Sequence, residues 1–388
     1  MRSFVLCLSL LATPVLAADL SKTTAAANTT FAVELYAKLA TEKGNVFFSP
    51  YSISSALAMT WAGARGQTAD EMAKTLHFAP EVHDGFAALD LRLIGTQPGY
   101  QLSVANRLFV QRGLTLLAPF TTIAREKYRA PVEQVDFAKE ETRLHVNQWV
   151  EEQTQKRIKD LIGKGVFSND TRLALVNAIY FKGTWLTQFD KKATTHQPFF
   201  GGGKETKVPL MYADFEPAAR VRTAEVDGVQ VLELPYKGGE VAMVVLLPTA
   251  RDGLPALEKS LTSAKFEQLM KALRPSGAEV WLPRFKVEQS FELSSTLASM
   301  GMPSAFGPAD FSGMTGGKEL SISAVIHKAF VEVNEEGTEA AAATAVVVGI
   351  ESVAPPKPRI RADHPFVFAL RDTKSGSVLF LGRITEPR

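Results

Sequence analysis

The sequence predicts an α+β fold. Helical periodicity crowds the first half of the chain, strand patterns dominate the second, and no repeat or linker-like break in composition separates them. Of 388 residues, 46% are hydrophobic and 22% charged, enough apolar material for one large core. A net charge of +2 gives no electrostatic argument for nucleic acid or an anionic membrane. The basic clusters, Lys156-Arg157-Ile158-Lys159 and Arg359 with Arg361, read as solvated faces.

Taken in order, the N-terminus reads first as a targeting signal. Arg2 precedes the apolar run FVLCLSLLATPVLA, and Val15-Leu16-Ala17 supplies cleavage positions. Residues 1–17 are therefore expected to be a signal peptide cut after Ala17 (Ala18 as alternative). The remainder, 18–388, is expected as one soluble domain, secreted or periplasmic. The run is too short to span a membrane. Cys7 is the only cysteine, so the mature chain would carry no disulfide, thiol nucleophile or cysteine metal site. Asn28-Thr29-Thr30 and Asn169-Asp170-Thr171 are sequons, meaningful only on a eukaryotic secretory route.

Residues 18–30, small and polar, predict a loose start. Phe31, Leu35, Tyr36 and Leu39 begin a helical period. Pro50 suits a first helical turn, with Ser49 as its cap, and that helix should end near Gly63 or Gly66. Residues 68–96 read as amphipathic helix, QLSVANRLFVQ as strand, and 143–162 as a helix with Val146, Trp149, Val150, Ile158 and Leu161 on its apolar side. TRLALVNAIYFKGTW is an apolar strand with Asn177 embedded. VQVLELPYKGGEVAMVVLLP is a hairpin about Lys237-Gly238-Gly239. EVWLPRFKVEQSFEL is a strand entering a helix, and HPFVFALRDTKSGSVLFLGRI is a final hairpin.

Chemistry is sparse. The six histidines show no HExxH spacing, GxSxG and GxGxxG are absent, and GGGKET and GMTGGKEL lack the GK[ST] ending of a phosphate loop. No metal, cofactor or catalytic residue is expected. Ser49, Ser52, Asn177 and His327 have the residue types of a hydrolase. Each lies in an apolar segment, where an unpaired polar group costs about 1–3 kcal/mol, so a mutually satisfied buried network is the better reading.

EEGTEAAAATAVVVG, residues 335–349, is locally ambivalent. Alanine favours helix and the three valines favour strand. Under strand periodicity one face holds Thr338, Ala340, Ala342, Thr344, Val346 and Val348, all small and uncharged. A helix, a plain loop, or a loop built to become a strand all fit; composition by itself favours the first two.

NVFFSPYSISSALAMTWAGARGQT, LVNAIYFKGTW, IHKAFVEVNEEGTEAAAATA and HPFVFALRDTKSGSVLFLGRI together, in order from about Asn45 to Arg383, resemble the serpin family (serine protease inhibitors), inhibitory type. The resemblance implies three β-sheets, about eight or nine helices, and an exposed reactive loop over 338–356. It implies a hinge at Glu335, Gly337, Thr338, Glu339, Ala340, Ala341, Ala342, Ala343 and Thr344. A protease that cuts the loop would be trapped as an acyl-enzyme while residues 338–350 insert as a new strand in the main sheet. The usual length from the hinge puts the scissile bond at Glu351-Ser352, suiting a glutamate-specific protease. Counting back from Pro355-Pro356 gives Ser352-Val353. A loop one residue shorter gives Ile350-Glu351, which suits elastase-like or subtilisin-like enzymes. Ser49, Ser52, Asn177, Trp185, Arg284 and His327 match conformational-control positions, with Arg284 pairing Glu335. The implied partner is a target protease in a covalent complex with a monomeric inhibitor. Heparin is not expected, because the corresponding helix within 81–97 holds Arg92 as its one arginine or lysine. A non-inhibitory carrier, chaperone or storage serpin is the alternative.

Overall fold

A computed structural model describes residues 14–338 and 357–388, with side chains from Ala17 onward. The first part of the chain is largely helical: α1 (Pro14–Leu39), α2 (Pro50–Trp61), α3 (Gly66–Leu76), α4 (Val82–Leu93), α5 (Ala118–Tyr128) and α6 (Glu140–Gln153). Among them run β1 (Val46–Phe48), β2 (Gly95–Gln97), β3 (Tyr100–Gln111) and β4 (Glu133–Val135). Then come β5 (Leu173–Thr184), β6 (Thr195–Gly201), β7 (Lys204–Phe215), β8 (Arg222–Val226), β9 (Val229–Pro235) and β10 (Val241–Pro248). Helices α7 (Leu254–Ser260) and α8 (Ser263–Ala272) precede β11 (Arg274–Pro275), β12 (Ala278–Pro283) and β13 (Phe285–Glu292). The chain continues through α9 (Ser294–Met300), α10 (Ser312–Thr315), β14 (Ala324–Asn334), β15 (Gly337–Thr338), β16 (Arg359–Arg361), β17 (Phe366–Asp372) and β18 (Val378–Ile384).

The strands form three sheets among the described residues. The main sheet has the order β13-β14-β15-β5-β3-β2, with β4 beside β3. The second sheet is β1-β18-β17-β10-β9-β8-β11, and the small sheet is β16-β12-β7-β6. Helix α2 is buried from Pro50 to Thr60 and packs against β3, β5 and β18, joining the main and second sheets in one core. Its small residues, Ser54, Ser55, Ala56 and Ala58, allow that close approach from several sides. Strand β5 is buried on both faces, as its nearly unbroken apolar sequence requires. The face away from α2 is covered by a second cluster, in which Val146 and Val150 of α6 join Ile158, Leu161 and Ile162 over Ala174, Val176, Ala178, Ala324 and Ile326.

Several elements differ from their sequence-based expectation. Residues 18–30 are the body of α1 rather than a loose start. Thr24, Ala25 and Asn28 are buried, and Asn28 Nδ2 donates to Val378 O at 2.9 Å. That leaves the first sequon asparagine inaccessible in the folded chain. The helix over 68–96 is two helices, parted where His77 turns left-handed (φ 56°) ahead of Pro80. The helix over 143–162 stops at Gln153. Thr154 Oγ1 then donates to Val150 O and accepts from Ile158 N, Asn147 bonds both backbone groups of Ile162, and Gln155, Lys156 and Asp160 take positive φ. Side-chain bonds thus replace the helical ladder while the apolar residues stay buried. The stretch around Arg284 is two strands in different sheets, because the chain crosses from β12 to β13 just after Pro283.

Candidate functional site

The seam between β14 and β5 is where the expected site residues gather. Over its lower part the two strands pair directly and in parallel, from Ala324↔Ala174 to Phe330↔Tyr180. Above Tyr180 they part, and β15 lies between them. Gly337 and Thr338 pair with Asn334 and Val333 on one side and with Thr184 and Gly183 on the other. The chain reaches this slot by reversing at Glu335-Glu336 directly after β14.

The open end is clamped by polar and aromatic groups. Thr338 is fully buried, and its hydroxyl is 2.6 Å from that of Tyr236. The Tyr236 ring stacks on Trp185 with centroids 4.4 Å apart. Trp185 Nε1 donates to Asn334 O at 2.9 Å, and its backbone N–H donates to Glu336 O at 3.0 Å. Glu335, 3% exposed at the side chain, accepts from Arg284 (Nε at 2.7 Å, Nη2 at 2.5 Å) and from Thr194. Burial works to raise its pKa, but the bonds from Arg284 and Thr194 outweigh burial and hold the carboxyl below its ordinary value. Glu336 pairs with Lys191. Gly337 has φ +146°, and a Cβ there would lie 2.0 Å from Gly183 O.

The closed end rests on a buried network. The registers Asn106↔Asn177 and His327↔Asn177 put three polar side chains in a row across β3, β5 and β14. Ser49 N donates to His327 Nε2 at 3.0 Å, so the ring proton sits on Nδ1 and is donated to Asn177 Oδ1. Asn177 Nδ2 in turn donates to Ser52 Oγ and Asn106 Oδ1. Ser49 caps α2 by accepting from Ser52 N (3.1 Å), and its hydroxyl donates to Leu379 O (2.6 Å). Burial lowers the His327 pKa to about 3, which keeps the ring neutral. No serine hydroxyl contacts its nitrogens, so the hydroxyl–imidazole bond of a hydrolase is missing from this site.

The structure therefore brings Ser49, Ser52, Asn177 and His327 together beneath the sheet, and Trp185, Arg284, Glu335, Gly337 and Thr338 together at its open end. Glu339, Ala340, Ala341, Ala342, Ala343, Thr344, Ile350, Glu351 and Ser352 lie outside the described residues. The helix expected within 81–97 is α4, and its Arg92 is turned inward onto the buried carboxylate of Asp372. Sequence reasoning missed Asn106, although a lone amide in the apolar strand QLSVANRLFVQ is the same signal that singled out Asn177. It also missed Tyr236, Thr194 and Lys191, whose partners are set by tertiary packing.

The family model "Serpin (serine protease inhibitor)" matches residues 26–387. The leukocyte elastase inhibitor of Bos taurus is 44% identical over 379 residues, covering 93% of this chain and 99% of the relative. Human Serpin B3 is 40% identical over 387 residues, covering 93% and 98%. Among solved structures, Serpin48 of the insect Tenebrio molitor superposes with a TM-score of 0.84 at 33% identity, covering 95% of this chain and 98% of that one. Uncleaved ovalbumin superposes at 0.85 and 30% identity, covering 94% and 99%. These relatives overturn the secreted or periplasmic location expected from the N-terminus: those that match nearly end to end are leukocyte elastase inhibitors and B-type serpins. The expected cut after Ala17 also falls inside the continuous helix α1. With its three sheets, its seam and its match along nearly the whole length, the chain belongs to the serpin family.

Proposed function

We propose that the chain is a suicide-substrate inhibitor of elastase-type serine proteases, with the loop 338–356 of a single domain as its bait. The observation that supports this reading is the position of β15, a two-residue strand seated between β14 and β5 above seven directly paired positions. Attack by the protease serine on the scissile carbonyl forms an acyl ester and releases the new amino end. The freed segment then extends β15 down the seam. Thirteen residue steps from Thr338 to Glu351 span about 43 Å at roughly 3.3 Å each. Each backbone hydrogen bond gained is worth about 0.5–1.5 kcal/mol net, so a full strand supplies enough to deform a tethered enzyme. Ser49, Ser52, Asn177 and His327 hold the closed part of the seam; Trp185, Arg284, Glu335, Gly337 and Thr338 set where insertion starts.

Relatives named for leukocyte elastase support that enzyme as the target class. Its small specificity pocket favours Ile350-Glu351 as the bond, whereas a glutamate-specific enzyme would cut Glu351-Ser352. Incubation with leukocyte elastase should give an equimolar complex that survives SDS, and the peptide released on denaturation should begin at Glu351. Clipped chain with no complex, across a panel of serine proteases, would overturn the reading in favour of a non-inhibitory serpin.

A further inference from the structure

Shortly after β16 the chain carries a buried histidine whose two ring nitrogens both meet acceptors. His364 Nε2 lies 2.7 Å from Pro248 O, and Nδ1 lies 2.8 Å from Asp363 Oδ1. A neutral imidazole has one donor and one acceptor, whereas an imidazolium has two donors. A carbonyl and a carboxylate offer no proton, so only the imidazolium satisfies both contacts. The Asp363 carboxyl stays ionised. Burial works to raise its pKa, but the bonds from His364 and Arg361 and the charge of Arg251 outweigh burial and hold it below its ordinary value. His364 is 5% exposed and Asp363 8%, so water does not readily replace a partner that is lost.

The ring sits where two sheets meet. Pro248 ends β10 in the second sheet. Asp363 Oδ2 takes Arg361 Nε of β16 at 3.2 Å, and Arg251 Nη2, on the turn after β10, lies 3.9 Å from it. Arg361 also donates to Gln197 of β6, and Asp363 O accepts from Phe200 N of the same strand at 2.7 Å. The Arg251 guanidinium lies 3.7 Å from the Phe200 ring centre. The charged groups gathered about His364 are thus Asp363, Arg361 and Arg251, while β6 presents the neutral Gln197 and Phe200. Strand β16 itself is an edge strand, paired with β12 at three positions. Such a short edge pairing holds weakly without further ties. It is also the first described strand after the masked run of the loop, so whatever fixes β16 fixes the point where residues 338–356 rejoin the body.

We propose that His364 is a proton-controlled clamp on β16: its imidazolium ties the exit of β16 to β10, and loss of one ring proton releases one of the two ties. Because the clamp acts on the uncut chain, it stands apart from the inhibitor reading above. Histidine changes charge within the range of ordinary buffers, and a group held in its charged form contributes below its titration and less above it. The clamp is therefore closed in mild acid and loosens as pH rises. The test is amide exchange of the full chain, read by mass spectrometry at about pH 6 and about pH 8.5, each corrected for the intrinsic chemical rate. Protection across 359–362 should fall about tenfold on raising the pH, while β17 stays level. In His364→Gln, which has no titrating ring, β16 should be loose at both pH values. A fall of less than about twofold in the unmodified chain would overturn the proposal, and so would the same pH-dependent fall in His364→Gln. Should that variant not fold, the nitrogen-15 spectrum of the unmodified chain decides. At about pH 6 one histidine should show slowly exchanging protons on both ring nitrogens, and the absence of any such ring would equally defeat the clamp.

Discussion

Where β14 and β5 part, the main sheet is held by exchangeable contacts; where they meet, it is held by a network with nowhere else to go. The open end uses charge pairs reaching the surface, such as Arg284 with Glu335 and Lys191 with Glu336, and a threonine hydroxyl laid against Tyr236. The closed end uses neutral groups with no exposure, Ser49, Ser52, Asn177 and His327, each supplying a bond that the others need. Surface-linked pairs are worth about 0–1 kcal/mol and are readily remade. A buried polar group that loses its partner costs about 1–3 kcal/mol. In the insertion proposed above, the strand begins to enter cheaply at the top and must then disrupt something rigid to go further. The cover differs as well, since Val146 and Val150 of α6 lie over the closed part.

The largest effect that would break this contrast is at Thr338. Thr338 is fully buried, so arginine there must bury a charge, and Thr338→Arg should turn an inhibitor into a substrate, raising the inhibitor consumed per enzyme trapped about tenfold or more. Titration against elastase, with gel quantification of complex and clipped chain, reads it directly. Second, Asn177→Ala leaves His327 Nδ1 without its acceptor and Ser52 with Asn106 as its remaining hydroxyl partner, and should cost about 2–4 kcal/mol in urea unfolding. The network also carries a pH signature. Native His327 takes up a proton only near pH 3, while the unfolded chain does so near 6.5. Its contribution is complete above about 6.5 and is lost as pH falls from there toward 3, and His327→Gln should flatten that limb by up to one proton. The smallest effect belongs to the open end. Arg284→Ala leaves Glu335 buried with Thr194 alone, and should cost about 1–2 kcal/mol, discounted because Arg284 is nearly half exposed. Glu335 titrates below its ordinary value, so its contribution is present above the unfolded carboxylate pKa and fades as pH drops through the folded one. Equal costs for Asn177→Ala and Arg284→Ala would erase the distinction between the two ends.

Much of this was legible in the sequence, for identifiable reasons. Strands with strict patterning and hairpins marked by glycine, such as Val229–Pro235 with Val241–Pro248, are fixed by local chemistry. Ser49 before Pro50 announced its helix in the same way. Polar residues inside apolar runs flagged Asn177 and His327, because burial leaves them no choice but to pair. What could not be read is set by distant contacts. Residues 18–30 are helical because Asn28 and Thr24 pack against partners hundreds or tens of positions away. The helix after Glu140 ends early because Asn147 and Thr154 reach into the following turn. Tyr236 meets Thr338 only because a hairpin of the second sheet lies under the seam.

Gly183 and Gly337 are diagonal neighbours in the pairing of β15 with β5, and neither has room for a side chain: a Cβ on Gly337 would lie 2.0 Å from Gly183 O, and one on Gly183 would lie 2.7 Å from the Tyr236 ring. The starting register of the incoming strand is therefore written in missing atoms. Under the proposed mechanism, changes to the bait downstream would retune which enzyme bites without moving that origin, leaving target choice and the stroke that follows free to evolve on separate clocks.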